Sequence, residues 1–288
     1  MIDIILFSII LIVLLIASYS DLKTREVPDW LSYGLIFTGL GLRLLSSIIL
    51  KDQSIFLSGL VGFTLFFTFA CLMYYTGQWG GGDSKLLMGV GAMMGLEFQW
   101  IPLPYLVIFL INTLLAGAVY GILWIIILGI KNRTKLSREL QKVAYATASL
   151  KNLPFLILII ALPFTLLFAM QTADLSITKT VTFIFILIPF AFIALFILIK
   201  AIEQISFYKN IPPTQLTEGD WISKPIKVKN RIIASPKDLG ISKAQIKKLI
   251  ALRIRSVPIK EGIPFIPSFL FGFLATIAWG DWITPFLL

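Results

Sequence analysis

The sequence predicts an all-α polytopic membrane protein of about eight transmembrane helices, with a small cytoplasmic subdomain between the last two. Three observations carry this. Hydrophobic residues make up 58% of the 288 positions and charged residues only 14%, against about a quarter charged in a soluble domain. Mean hydropathy is +0.91. Apolar runs near the length of about 20 residues that a bilayer requires recur along the chain.

The runs are Ile2–Ser20, Leu31–Leu50, Ile55–Thr76, Lys85–Trp100, Pro104–Ile130, Leu153–Gln171, Thr180–Ala201 and Pro264–Trp282. The chain is apolar from Ile2, with no basic stretch before it, so this run is expected to be a retained span and not a cleaved signal. Lysine and arginine then orient the spans. The loops 21–30, 77–85, 131–151 and 202–263 hold twenty-one of them, and the alternate set holds only Lys51 and Lys179. The first set is therefore expected to be cytoplasmic, with both termini outside, in the cell membrane. The net charge of +10 is thereby read as topological and lipid-facing, with no nucleic-acid partner. The expected domains are 1–201, a membrane domain of about seven spans; 202–263, the cytoplasmic subdomain; and 264–288, the last span.

Absences narrow the chemistry. The chain has no histidine and one cysteine, Cys71. Ser-His-Asp triads, HExxH zinc sites and Cys-rich zinc sites are thus excluded, as is a disulfide within the chain. No metal and no cofactor is expected. Proton transfer falls to Asp, Glu, Lys or Tyr.

Within 202–263, Ile226–Ile232 alternates with period two, which suggests one short strand. Ser242 followed by Gln245 is a capping-box pattern, opening an amphipathic helix with Lys243, Lys247 and Lys248 on its polar side. That helix is expected to lie on the membrane surface or to dock substrate. Gly91/Gly95 and Gly117/Gly121 are GxxxG pairs suited to close helix packing. Arg43, inside the second span, is expected to snorkel or to pair with a buried carboxylate. Glu97 is expected at the outer interface.

Two carboxylates stand out. Asp83 lies in Trp79-Gly80-Gly81-Gly82-Asp83-Ser84-Lys85, between two apolar runs. Asp21 ends the first run. Carboxylates at such places are costly and usually functional. The loop assignment puts both on the cytoplasmic side. Two carboxylates and a water can hydrolyse a peptide, one ionised to take the water's proton and one protonated to polarise the carbonyl. Taken singly, Asp21 reads equally as an interfacial residue and Asp83 as a helix cap.

Gly80-Gly81-Gly82-Asp83-Ser84-Lys85-Leu86-Leu87 resembles the GxGD signature of the type IV prepilin and archaeal preflagellin peptidases. Asp21, followed by Val27, Pro28 and Asp29, resembles that family's other aspartate motif. The similarity covers roughly the first 130 residues. Thr217–Ile222 and Glu261–Phe265 also resemble the C-terminal region of some archaeal members. The resemblance implies a membrane aspartic endopeptidase that removes the basic leader of pilin or archaellin precursors at the cytoplasmic face. It implies Asp21 and Asp83 as the catalytic pair, with Gly80, Gly81, Gly82, Lys85, Val27 and Pro28 as supporting motif residues. Glu26 and Asp29 are candidates to attract a basic leader, or else they balance Lys23 and Arg25. Many bacterial members carry a Cys-rich zinc site and methylate the new N-terminus. This chain lacks those cysteines, so peptidase activity without methylation, in an archaeon, is expected. The partners implied are precursor substrates and the lipid bilayer; no oligomeric state follows.

Other readings exist. Presenilin-type proteases pair GxGD with Tyr-Asp and Pro-Ala-Leu motifs, and neither occurs here. A transporter or channel could use the same carboxylates as ion sites, but Phe155–Phe168 and Phe183–Leu198 hold almost no polar residue. A non-catalytic assembly protein is a further alternative.

Overall fold

The computed structural model describes residues 2–97, 102–148, 175–228, 231–236, 238 and 240–287. The expected span Leu153–Gln171 lies outside them. Helices α1 (Ile2–Thr24), α2 (Asp29–Leu50), α3 (Gln53–Tyr75) and α5 (Tyr105–Lys131) are long and apolar enough to cross a membrane. They coincide with four of the expected runs. The chain is accordingly a polytopic membrane protein.

The fourth and last runs differ from expectation. α4 (Gly81–Met94) and α9 (Ile266–Trp279) each have 14 residues, about 21 Å at 1.5 Å per residue. A hydrocarbon core is about 30 Å thick. α4 stops because Gly95 takes φ +67, a left-handed turn that glycine enters at no steric cost.

The described chain forms two compact units, residues 1–123 with 211–288, and residues 124–210. In the first, α4 is central and packs on α1, α2 and α3. Glycines permit this. A Cβ on Gly62 would lie 2.5 Å from the Gly91 carbonyl oxygen and 2.8 Å from the Gly95 Cα, so α3 and α4 meet backbone to backbone. In the second GxxxG pair Gly117 faces the Phe265 ring, whereas a Cβ on Gly121 would meet nothing within 4 Å among the described residues.

On α1 the buried residues Leu6, Ile10, Leu14 and Ala17 recur every three or four positions. The next position of that stripe is Asp21, 5% exposed. The helix period thus turns the carboxylate inward. On α2 the stripe Leu31, Leu35, Gly39 and Ser47 likewise carries Arg43 inward.

The polar region corrects the all-α expectation. β2 (Trp221–Ile222) pairs antiparallel with β5 (Val257–Lys260). β3 (Ile226–Val228) pairs antiparallel with β4 (Arg231–Ala234). The stretch 226–232, read from its alternation as one strand, is therefore two. The capping box forms as expected: the Ser242 Oγ accepts from the Gln245 N–H at 3.3 Å and the Ser242 N–H donates to Gln245 Oε1 at 2.8 Å. It opens α8 (Lys243–Ala251). Leu249 of α8 joins Leu216, Ile222, Ile241, Val257 and Ile259 in a small core.

In the second unit, α6 (Arg133–Ala148) packs on α7 (Leu175–Ser206). A loop was expected at 131–151. Leu136, Leu140 and Val143 form a helical stripe there, masked in the sequence by interleaved basic residues. α7 runs through 202–206, which were assigned to the subdomain. β1 (Tyr208–Ile211) follows it.

Candidate active site

Asp83 is the third residue of α4. Its Oδ2 accepts from the Gly80 N–H at 3.1 Å, satisfying one of the donors a helix start leaves open. Trp79 anchors this turn. It is 6% exposed, and its ring centroid lies 5.7 Å from that of Phe69 and 5.4 Å from those of Phe265 and Phe269.

Asp21 sits one turn before the end of α1. Its Oδ2 accepts from the Ile266 N–H at 3.0 Å, at the first turn of α9. Arg25, with φ +62, ends α1, and its Nη1 donates to the Gly262 carbonyl at 2.8 Å. The last turn of α1 is thus held by Gly262 and Ile266.

The motif residues have distinct places. A Cβ on Gly82 would lie 3.2 Å from the Val27 Cβ, so glycine there lets the α1–α2 turn approach α4. Pro28 caps α2 with φ −57. Lys85 Nζ lies 2.7 Å from Asp29 Oδ1 and 5.4 Å from the Tyr33 ring centre. Asp29 thus pairs with Lys85, where Lys23 and Arg25 were weighed. Glu26 is exposed; its carbonyl accepts from Ser20 Oγ at 2.8 Å.

Burial pushes the Asp83 carboxyl up to about 7, and the charge of Asp21 adds to this, against the Gly80 hydrogen bond. The two carboxylates therefore lie within electrostatic reach of one another. Tyr120, on α5, lies within reach of both Asp21 and Arg25. Burial also raises the Asp220 carboxyl; its bond from the Thr217 N–H opposes this, and the charges of Glu26 and Glu261 raise it further. Three acidic groups thus share one neighbourhood.

Arg43 corrects both readings offered for it. It does not snorkel, and the carboxylates whose charges reach it, Asp3 and Glu97, are exposed and not buried. It is 7% exposed and donates to the carbonyls of Met93, at 2.8 Å and 3.1 Å, and of Met94, and to Ser58 Oγ at 2.8 Å. It closes the C-terminal end of α4, where a cation is favoured.

Residues 8–122 match the profile of the Type IV leader peptidase family. The matched segment contains Asp21, Asp83, Val27, Pro28, Gly80 to Gly82, Lys85 and Tyr120. The preflagellin peptidase of Methanococcus maripaludis is 38% identical over 81 residues, 28% of this chain and 35% of the relative. That of Methanocaldococcus jannaschii is 40% identical over 81 residues, 28% of this chain and 34% of the relative. That of Methanococcus voltae is 36% identical over 88 residues, 31% of this chain and 37% of the relative. The chain spans about a third of the length of these curated relatives.

Sequence reasoning missed Ile266 and Tyr120, and gave no part to Trp79 and Phe265 although both lie in stretches it singled out. Ile266 acts through a backbone N–H, which every non-proline residue carries. The roles of Trp79 and Phe265 could have been found only by asking which aromatics in an apolar chain border the GxGD turn.

Proposed function

We propose that this chain is a membrane aspartic endopeptidase that removes the short basic leader of archaellin-like or type IV pilin-like precursors. The observation that carries the reading is the placement of Asp21 and Asp83. They come from different helices, lie within each other's electrostatic field, and one holds its proton up to about neutral pH. Two like charges in a desolvated site share a proton in this way.

In the proposed reaction Asp21 is the ionised partner, its Oδ2 steadied by the Ile266 N–H. It takes a proton from water as the water oxygen bonds to the scissile carbonyl carbon. Asp83 gives its proton to the carbonyl oxygen. The tetrahedral species collapses as Asp21 passes its proton to the leaving nitrogen and Asp83 recovers its own. The pair then stands as it began, with one water consumed.

The substrate class rests on the names of the relatives and on charge. Glu26, Asp220 and Glu261 form an acidic neighbourhood beside the α1 turn, suited to a basic leader. The basic loops around both aspartates favour a cytoplasmic site. The single cysteine supports cleavage without methylation.

Leader cleavage in isolated membranes tests the reading. A precursor is mixed with the wild-type chain, Asp21→Asn and Asp83→Asn at equal expression. Cleavage by wild type and by neither variant is expected. Cleavage retained by either variant would end the two-carboxylate mechanism.

A further inference from the structure

The family match ends at residue 122, yet the two aspartate-bearing turns both touch a segment more than 130 residues further on. Gly262 accepts from Arg25 Nη1 at 2.8 Å. Ile266 donates its N–H to Asp21 Oδ2 at 3.0 Å. Phe265 and Phe269 each place a ring 5.4 Å from Trp79, and the next residue, Gly80, donates to Asp83 at 3.1 Å.

We infer that Gly262–Phe269 is a brace that sets the two catalytic aspartates in register, with the Ile266 N–H as its positioning group. This rests on the peptidase reading above. One end of the brace is polar and grips Asp21 directly. The other is aromatic and grips the turn that carries Asp83. Because both grips come from one short segment, they fix the two carboxylates relative to each other and not merely to the bilayer.

Local features make the segment rigid enough for this task. Pro264 and Pro267 flank the donor and restrict φ on either side. Ile266 is fully buried, so its amide cannot trade Asp21 for water. The Phe265 ring enters a place left open by Gly117, where a Cβ would lie 2.7 Å from it. Gly272, one turn and a half later, lets α9 lie against the Thr113 backbone. The donor belongs to the first turn of a 14-residue helix, the end at which a carboxylate is favoured. The helix start acts here on a named, buried side chain.

The hydrogen bond between a backbone donor and a carboxylate is of the charged kind, and its loss is expected to cost tenfold or more in turnover. The test replaces the amide between Phe265 and Ile266 by an ester in the full-length chain, which removes the donor and keeps the side chain. Ile266→Pro is the simpler companion, since proline is tolerated at the first helical position. Turnover of a basic-leader precursor is measured in nanodiscs, together with the thermal midpoint. The expected result is kcat down at least tenfold, KM within twofold and the midpoint little changed, with Ile266→Val, which keeps the N–H, restoring kcat.

A second readout needs no substrate. The infrared carboxylate band of Asp21, identified as the one lost in Asp21→Asn, is expected to move in the ester variant. A folded ester variant with wild-type kcat and an unmoved band would overturn the brace. If the wild-type chain cleaves no precursor, the peptidase reading falls and the band alone decides the brace.

Discussion

Lys85 Nζ lies 2.7 Å from Asp29 Oδ1 and joins the second turn of α4 to the first turn of α2. Two motif residues whose individual roles the sequence left open thus act on each other. The pair is half in solvent, with Asp29 63% exposed, so it is a register device more than a source of stability.

Breaking it is expected to cost little, about 0.2–1 kcal/mol for an exposed pair. A double-mutant cycle on Lys85→Met and Asp29→Asn, read by thermal unfolding in detergent, measures the coupling. A coupling above this range would show that the pair is shielded in the membrane.

Arg43 is expected to matter far more. Arg43→Met strips the Met93 and Met94 carbonyls and Ser58 of a charged donor, at about 1.5–3 kcal/mol or more. Arg43→Lys is expected to recover less than half, because an ammonium cannot span the same fork of acceptors. Unfolding midpoints of the two variants check this.

The Asp83 carboxyl, ordinarily at 3.8, stands at about 7. Between those values the folded chain keeps a proton that the unfolded chain has released. Stability due to this group therefore falls as pH rises from about 4 to about 7, and stays low above that. Asp83→Asn is expected to flatten that slope. Comparing the unfolding of wild type and variant at both ends of the window isolates Asp83 from the other carboxylates.

Glycine positions divide sharply. Gly62→Ala drives a Cβ to 2.5 Å from the Gly91 carbonyl oxygen and is expected to destabilise by about 1–3 kcal/mol. Gly41→Ala meets nothing within 4 Å in the interior of α2 and is expected to stabilise by about 0.4–1 kcal/mol. Thermal midpoints with opposite signs are the expected outcome.

Much of the membrane part was legible because its signals are local. Apolar length marked α1, α2, α3 and α5, and the Ser242/Gln245 spacing marked the start of α8. Asp21 and Asp83 stood out in the sequence because charge is rare in such surroundings. Other features depend on contacts across the chain. Arg43 finds its acceptors fifty residues away, and a carbonyl at a helix end has no residue signature. The stripe that turns Asp21 inward is invisible in an α1 that is apolar all round. The division of 226–232 between β3 and β4 was hidden because the alternation spans both.

α4 is fixed at both ends, by the Gly80 bond to Asp83 at its start and by Arg43 on Met93 and Met94 at its finish. It therefore serves as a gauge of set length. One residue inserted between Ser84 and Val90 would turn one end against the other by about 100° and push it about 1.5 Å. The guanidinium or the carboxylate would then lose its seat. Drift in length along this stretch is closed to the chain, however freely its side chains are exchanged.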